Sequence, residues 1–399
     1  MSTPLDSKSE SPKSRCLYCG NNPVRHEPMY ISQTMHVLMM PIFHITNFVD
    51  QPLFFRPIHA IVSRMVNVFA GLHLVAFSTD ITKVCTERSQ VIWEEAIKRG
   101  IPMQQMILWG KPLEQYRAKV YGRWQYFSSL PIPAHEDRTA YMWMDNKVTL
   151  KKFFMERGVK VPYGGRAATL SQAEDIFAKA QKPVITKPEI GSRGRHTTTH
   201  LYTLADLRRG LSIAQRLCQF VVVEEHLVGS VYRATYVGGN VVGILRGDPP
   251  RITGDGVRTI AELIEKKNAE KPEMVDDVRI TDLTHEFLAR QGYVLGSILE
   301  PGKTIDLHEK IGLSYGGDAV EEIAITHQKL LAELKKAGDV LGAPVVGFDF
   351  ISEDITKDPD EVRWGIIEAN SMPFINLHHF PRTGEPVNVA GKVWDLWNR

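Results

Sequence analysis

Apolar positions recur along this chain with two different periods, and the switches between them outline its elements. Residues 86–99 (TERSQVIWEEAIKR) carry helical periodicity, and Gly100 with Pro102 stops them. MQQMILWG and then YRAKVYGRWQYFSSL read as strands, the second folding back at Tyr121-Gly122 as a hairpin, so a small α/β unit closes near residue 140. A helix over 146–157 (NKVTLKKFFMER), a short strand-like VKVPYG and a helix over 171–181 follow. PVITKP is a strand ended by Pro188. Beyond the loop EIGSRGRH come the strand THLYT, a helix over 204–218 and the apolar strand FVVVEEHL. VYRATYVGGNVVGILR gives two strands around a Gly238-Gly239 turn. Helices over 258–268 and 321–341 precede two last strands, APVVGFDFI and RWGIIEAN. Helices and strands are intermixed throughout, which makes the expected fold class α+β. The expected domains are a disordered tail over 1–15, an N-terminal domain over 16–145, and a C-terminal domain over 146–399 that divides near 229.

Composition changes this picture little. With 399 residues, 43% apolar and 24% charged, the chain is long enough for two or three subdomains of an ordinary globular kind. A net charge of +2 argues against a nucleic-acid partner. The polar first fifteen residues have no apolar segment of the signal-peptide type. Residues 30–76 are apolar, but Pro41, Asp50, Arg56 and Arg64 interrupt them short of a membrane span. Four scattered cysteines make no disulfide framework, so a cytoplasmic location is expected. Cys16-x-x-Cys19 with His26 resembles part of a zinc knuckle lacking one ligand, for which His36, His44 or a second subunit are candidates; two free thiols are the alternative.

The C-terminal strands break their own pattern. Asp349 stands in the middle of VVGFDFI, and a buried carboxylate is costly unless paired or metal-bound. Glu368 and Asn370 are two apart at the end of RWGIIEAN and so point to one face. If the two strands pair, three hard oxygen donors converge in a way that suits magnesium; a structural salt bridge at Asp349 is the alternative. Lys187 ends a strand just before a loop with Gly191, Gly194, Arg193 and Arg195, a basic and conformationally free segment of the kind that meets phosphates. Glu224-Glu225 end an apolar strand. Asp255 is expected to hold the turn of TGDGVRTIAELI.

These pieces, taken in order, resemble the ATP-grasp carboxylate–amine ligases, most closely the ATP-grasp part of cyanophycin synthetases and of fused bacterial glutathione synthetases. The matching segments are DNKVTLKKFF, PVITKPEIGSRGR, VVVEEHLVGSVYR, GGNVVGILRGDPPRITGDGVRTIAELIEKKN, GLSYGGDAVEE, GFDFI and GIIEANSMPFINLHHFPRTGEP. The resemblance implies an ATP-grasp fold of two α+β subdomains, 146–229 gripping the nucleotide and 230–399 holding metal and substrate, behind an N-terminal α/β subdomain. It implies ATP and one or two Mg2+ ions, with Mn2+ as an alternative, and small-molecule acid and amine substrates. Lys147 and Lys187 would hold phosphates under the loop of Gly191, Ser192, Gly194 and Arg195. Glu224, Glu225 and Leu227 would line the adenine pocket, and Asp349, Glu368 and Asn370 would hold the metal. Arg233, Arg246 and Ser314 would act on the acyl substrate and the transferred phosphoryl group. Val231 departs from relatives that keep an acid there. No Mur-ligase-like part follows, so cyanophycin itself is not the expected product. A homo-oligomer is left open.

Three other readings compete. A phosphotransferase to a hydroxyl would use the same fold. GLSYG fits the hydrolase elbow G-x-S-x-G around Ser314, with His327 and Asp349 downstream, although the order is wrong for that fold. A non-catalytic nucleotide-binding protein would need eroded lysines or metal ligands, and none is eroded.

Overall fold

The computed structural model describes residues 16–19, 24–47, 75–133, 143–190, 194–271, 275–308, 311 and 315–398, without the side chains of residues 17 and 39–47. The class is α+β, as the mixed periodicity predicts. The chain forms two compact units, each discontinuous: Met1–Leu38 with Tyr163–His226, and Met39–Pro162 with Leu227–Arg399.

Helix α1 (His26–Asn47) belongs to the first unit as far as Leu38. The second unit begins with an antiparallel sheet in the order β1 (Val75–Ser78), β2 (Met103–Leu108), β3 (Lys111–Val120), β4 (Arg123–Phe127). Helix α2 (Glu87–Lys98) starts where Thr86 accepts a hydrogen bond from the Ser89 amide, and it buries Val91, Ile92, Trp93 and Ala96. The hairpin expected at Tyr121-Gly122 is present. β3 starts earlier than the pattern indicates, because Trp109-Gly110 makes a second tight turn; both pairs have positive φ, 49° and 77° in one, 49° and 75° in the other. Helix α3 (Lys147–Met155) is capped by Asn146, whose Oδ1 accepts from the Thr149 amide at 2.8 Å.

The first unit takes up the chain at β5 (Gly164–Ala167), later than the expected VKVPYG strand. It continues through α4 (Leu170–Lys179), β6 (Val184–Pro188), β7 (Thr198–Leu201), α5 (Leu204–Ala214) and β8 (Val221–Glu225), with sheet order β5-β8-β6-β7. Phe177, Leu207, Leu211, Val221 and Val223 make its core. The first half of α1 docks here: Tyr30 donates to Gln219 Oε1 at 2.8 Å, and Thr34 Oγ1 accepts from the Gln219 amide at 3.1 Å.

Back in the second unit, β9 (Ser230–Val237) and β10 (Asn240–Gly247) form the expected hairpin, with φ of 53° and 93° at Gly238 and Gly239. There follow β11 (Arg251–Thr253), α6 (Ile260–Glu270), α7 (Asp282–Arg290), β12 (Thr304–Asp306) and β13 (Ala319–Glu321). The chain then runs through α8 (Gln328–Leu341), β14 (Val345–Ser352), β15 (Trp364–Asn370), α9 (Asn376–His379) and α10 (Val389–Asp395). The helix expected over 321–341 begins only at Gln328. Residues 319–321 instead pair with Leu245–Gly247, and the His327 side chain caps the helix by accepting from the Lys329 amide. The main sheet runs β13-β10-β9-β14-β15, and α3 and α8 cover one face through Phe154, Leu334, Phe348 and Phe350.

Candidate active site

The other face of that sheet carries the charges. Asp349 lies opposite Arg233 on β9 and opposite Glu368 on β15, so three neighbouring strands project them side by side. Arg233 Nε and Nη2 both donate to the Asp349 carboxylate at 2.8 Å, a bidentate pair whose side chains are only 22% and 19% exposed. Asn370 Nδ2 stands 3.5 Å from Asp349 Oδ2, and Lys147 Nζ stands 3.6 Å from Glu368 Oε2. Burial works against the Arg233 charge, but Asp349 and Glu368 more than offset it and hold its pKa above the ordinary value. The polar interruption of an apolar strand is thus answered by a paired cation, the structural alternative at Asp349. The same face still presents three hard oxygen donors to a divalent ion, and Asp349, Glu368 and Asn370 fit magnesium chemically.

Residues that the periodicity does not single out complete this surface. Arg88 on α2 donates to the Met372 carbonyl at 2.8 Å and to Ser129 Oγ at 3.0 Å, while its Nε is buried without a hydrogen-bond partner. Burial lowers its pKa. The guanidinium carbons of Arg88 and Arg233 each stand 5.8 Å from the centre of the exposed Phe374 ring. Nothing in the local sequence marks Arg88, because its role depends on a contact 284 positions away. Beneath the face, His378 is fully buried between Glu321 Oε2 at 2.6 Å and Thr235 Oγ1 at 2.7 Å.

Arg246 is placed elsewhere. Its neighbour Leu245 pairs with Arg233, so Arg246, opposite Tyr232, projects from the opposite sheet face. There it binds Asp248, with Nε at 2.9 Å from Oδ1, and Glu322. Burial raises the Glu322 pKa, and Asp248 adds to it against the opposing pull of Arg246. Asp255 holds its turn: Oδ1 accepts from the Val257 and Arg258 amides at 2.9 and 2.8 Å, and those backbone bonds push its pKa down to about 2. Ser314 lies outside the described residues. Of its would-be partners, His327 caps α8 and Asp349 is bound to Arg233.

In the first unit, Lys187 Nζ donates to Glu224 Oε1 at 2.7 Å across β6 and β8, with Glu224 only 2% exposed. Glu225 accepts from the Gln181 amide at 3.0 Å and the Tyr163 amide at 3.3 Å. Gly191 and Ser192 lie outside the described residues; Gly194 has a φ of 60° and Arg195 is half-buried. The segment leading into this loop is fixed by Glu189, which is buried and accepts from Arg166 Nε at 2.6 Å. His226, beside Glu225, has its pKa lowered to about 4 by burial, with His200 and Lys187 adding to the effect. Leu227, in the second unit, is buried near Gly365.

No family model matches the chain. It is 28% identical over 319 residues to a bifunctional glutathione biosynthesis protein of Clostridium perfringens, covering 77% of this chain and 40% of that protein. It is 27% identical over 323 residues to the cyanophycin synthetase of Trichormus variabilis, covering 77% of this chain and 34% of that one. The chain therefore spans well under half the length of these curated relatives. The crystal structure of a bifunctional glutathione synthetase from Pasteurella multocida superposes with a TM-score of 0.61 at 25% identity, covering 78% of this chain and 43% of that one. The chain carries the ATP-grasp fold and is a relative of the cyanophycin synthetases and bifunctional glutathione synthetases.

Proposed function

We propose that this protein is an ATP-dependent ligase that joins a carboxylic acid to an amine, with an amino acid or short peptide as the acid and an acylphosphate between the two half-reactions. The observation that carries the reading is the sheet face holding Asp349, Glu368, Asn370, Arg233 and Lys147 together without any protein nucleophile among them. Such a surface stabilises and positions charge, which is what phosphoryl transfer requires.

In the first half-reaction a carboxylate oxygen of the acid attacks the γ-phosphorus of ATP and ADP departs. In the second, the amine nitrogen attacks the acyl carbon, gives up a proton and expels inorganic phosphate. Lys147 and Lys187 serve the phosphates, and Glu224 and Glu225 serve the adenine end. Arg233 and Arg88, each 5.8 Å from the centre of the Phe374 ring, suit an acid with an apolar stem. Asp349, Glu368 and Asn370 are the residues for Mg2+, which when bound neutralises charge on the nucleotide's phosphates. Arg246, on the opposite sheet face, is assigned to holding the β10 end rather than to the acid.

The test is a screen of amino acids and dipeptides for ATP-dependent phosphate release by the purified chain, repeated with hydroxylamine in place of the amine. One amide per ADP, and a hydroxamate in the trapping reaction, are the expected products. A stable phosphorylated product without amide or hydroxamate would instead identify a phosphotransferase.

A further inference from the structure

Among the described residues, one set of metal-ligating side chains lies apart from the ligation residues. Cys16, Cys19, His26 and His196 bring one ligand atom each to within 4.8 Å of all the others. His196 thus fills the place for which His36 and His44 were candidates, and it comes from 177 positions beyond Cys19.

The spacing suits a four-coordinate site. Cys16 Sγ stands 3.4 Å from His196 Nε2, Cys19 Sγ 3.3 Å from His26 Nε2, and Cys19 Sγ 3.5 Å from His196 Nε2. A zinc ion with ordinary Zn–S and Zn–N bonds separates its sulfur and nitrogen ligands by about 3.6 Å. The His196 tautomer is also fixed: its Nδ1 is 2.7 Å from the Ile213 carbonyl, which can only accept, so Nδ1 carries the proton and Nε2 offers a lone pair. Two sulfurs approach that single lone pair, which cannot serve both as a hydrogen-bond acceptor; a cation between them satisfies all three atoms. His196 and Cys19 are fully buried. The left-handed φ of 52° at His196 is held by its amide donating to the Tyr18 carbonyl at 2.9 Å, and the Cys19 amide closes the Cys-x-x-Cys turn on the Cys16 carbonyl at 3.1 Å.

We propose that Cys16, Cys19, His26 and His196 bind a structural zinc ion. All four positions are protein ligands, so no place is left for a reacting water, and two thiol protons leave as the two sulfurs coordinate. The ion ties the segment before α1 to the residue that follows Gly194-Arg195. If those residues serve ATP, as proposed above, the zinc fixes one end of the phosphate loop; the zinc assignment itself does not depend on that reading.

The experiment is elemental analysis of the full chain purified without chelator, together with Co2+ titration of the metal-stripped protein. About one zinc per chain is expected, and Co2+ should give a thiolate charge-transfer band with the intense visible absorption of a tetrahedral site. Cys19→Ala and His196→Ala should each weaken metal binding by about tenfold or more, while Cys85→Ser, at an exposed cysteine, should leave it unchanged. Zinc-free protein from zinc-replete cells, with no charge-transfer band on Co2+ addition to the folded wild-type chain, overturns the site. Because neither readout involves ATP or turnover, failure of the ligase reading leaves this result intact.

Discussion

Removing the positive charge of Arg233 should strengthen metal binding even as it abolishes catalysis. Both oxygens of Asp349 are engaged by Arg233 at 2.8 Å, so a divalent ion must compete with a guanidinium for its own ligand. Unit charges about 4 Å apart interact by about 4 kcal/mol at an effective dielectric of about 20. Exchange with water reduces the net worth of such a charged hydrogen-bonded pair to about 1.5–3 kcal/mol. Freed of that competition, Asp349 should bind a divalent ion about ten- to a hundredfold more tightly. The perturbation is Arg233→Met, which keeps an apolar stem near Phe374. The assay is titration with Mn2+ without nucleotide, followed through the resonance of the free ion. Arg233→Lys, which keeps a point charge but not the bidentate fork, should fall between the two. Mn2+ affinity that is unchanged or weaker in a folded Arg233→Met protein would refute the idea that Arg233 and the metal share Asp349.

Three further outcomes are expected. Glu368→Gln should abolish turnover and leave the thermal midpoint nearly unchanged, since Lys147 retains an amide oxygen within reach; normal turnover would remove Glu368 from the metal site. Lys187→Ala removes a buried salt-bridge partner of Glu224 and should destabilise the first unit by about 3–5 kcal/mol, whereas Lys187→Met with Glu224→Gln should recover most of that and still bind ATP about tenfold or more weakly in a fluorescence titration. His226 and His379 have folded pKa values lowered to about 4, in each case chiefly by burial. The unfolded chain therefore binds more protons than the folded one between pH 4 and the ordinary histidine range, and stability should fall as pH drops through that window. A His226→Gln, His379→Gln chain should lose less of its thermal midpoint there; an identical loss would show that other groups dominate.

The parts of this site set by local period were legible. Asp349 interrupting an apolar strand, Glu368 and Asn370 two apart, and the Gly238-Gly239 turn all follow from spacing alone, and the strand register then brings the first three together. What joins those pieces was not legible. That Asp349 meets Arg233 depends on the pairing of β14 with β9, and Arg246 could be separated from Arg233 only once the β9–β10 register was known. The helix expected from 321 starts late because Glu321 is drawn into pairing with Leu245 on β10 and Ile323–Ile325 then make only a short 3-10 turn before α8. Arg88 and His196 work through contacts 284 and 177 positions away, for which one sequence holds no signal.

The position of α10 has a consequence for how the protein comes into being. Trp394 is buried, donates its indole N–H to the Ile92 carbonyl at 3.0 Å and meets Phe127 edge-on, and Trp397 donates to the Pro131 carbonyl at 2.7 Å. The core beside the β1–β4 sheet is therefore completed by residues 389–398, whose contacts reach back 302 and 266 positions along the chain. During translation the core around Ile92, Trp93 and Phe127 must wait, part-open, while the intervening strands are made. A chain stalled before residue 389 would present that apolar surface to chaperones and proteases, and the β1–β4 sheet cut out by itself would make a poor transplantable module.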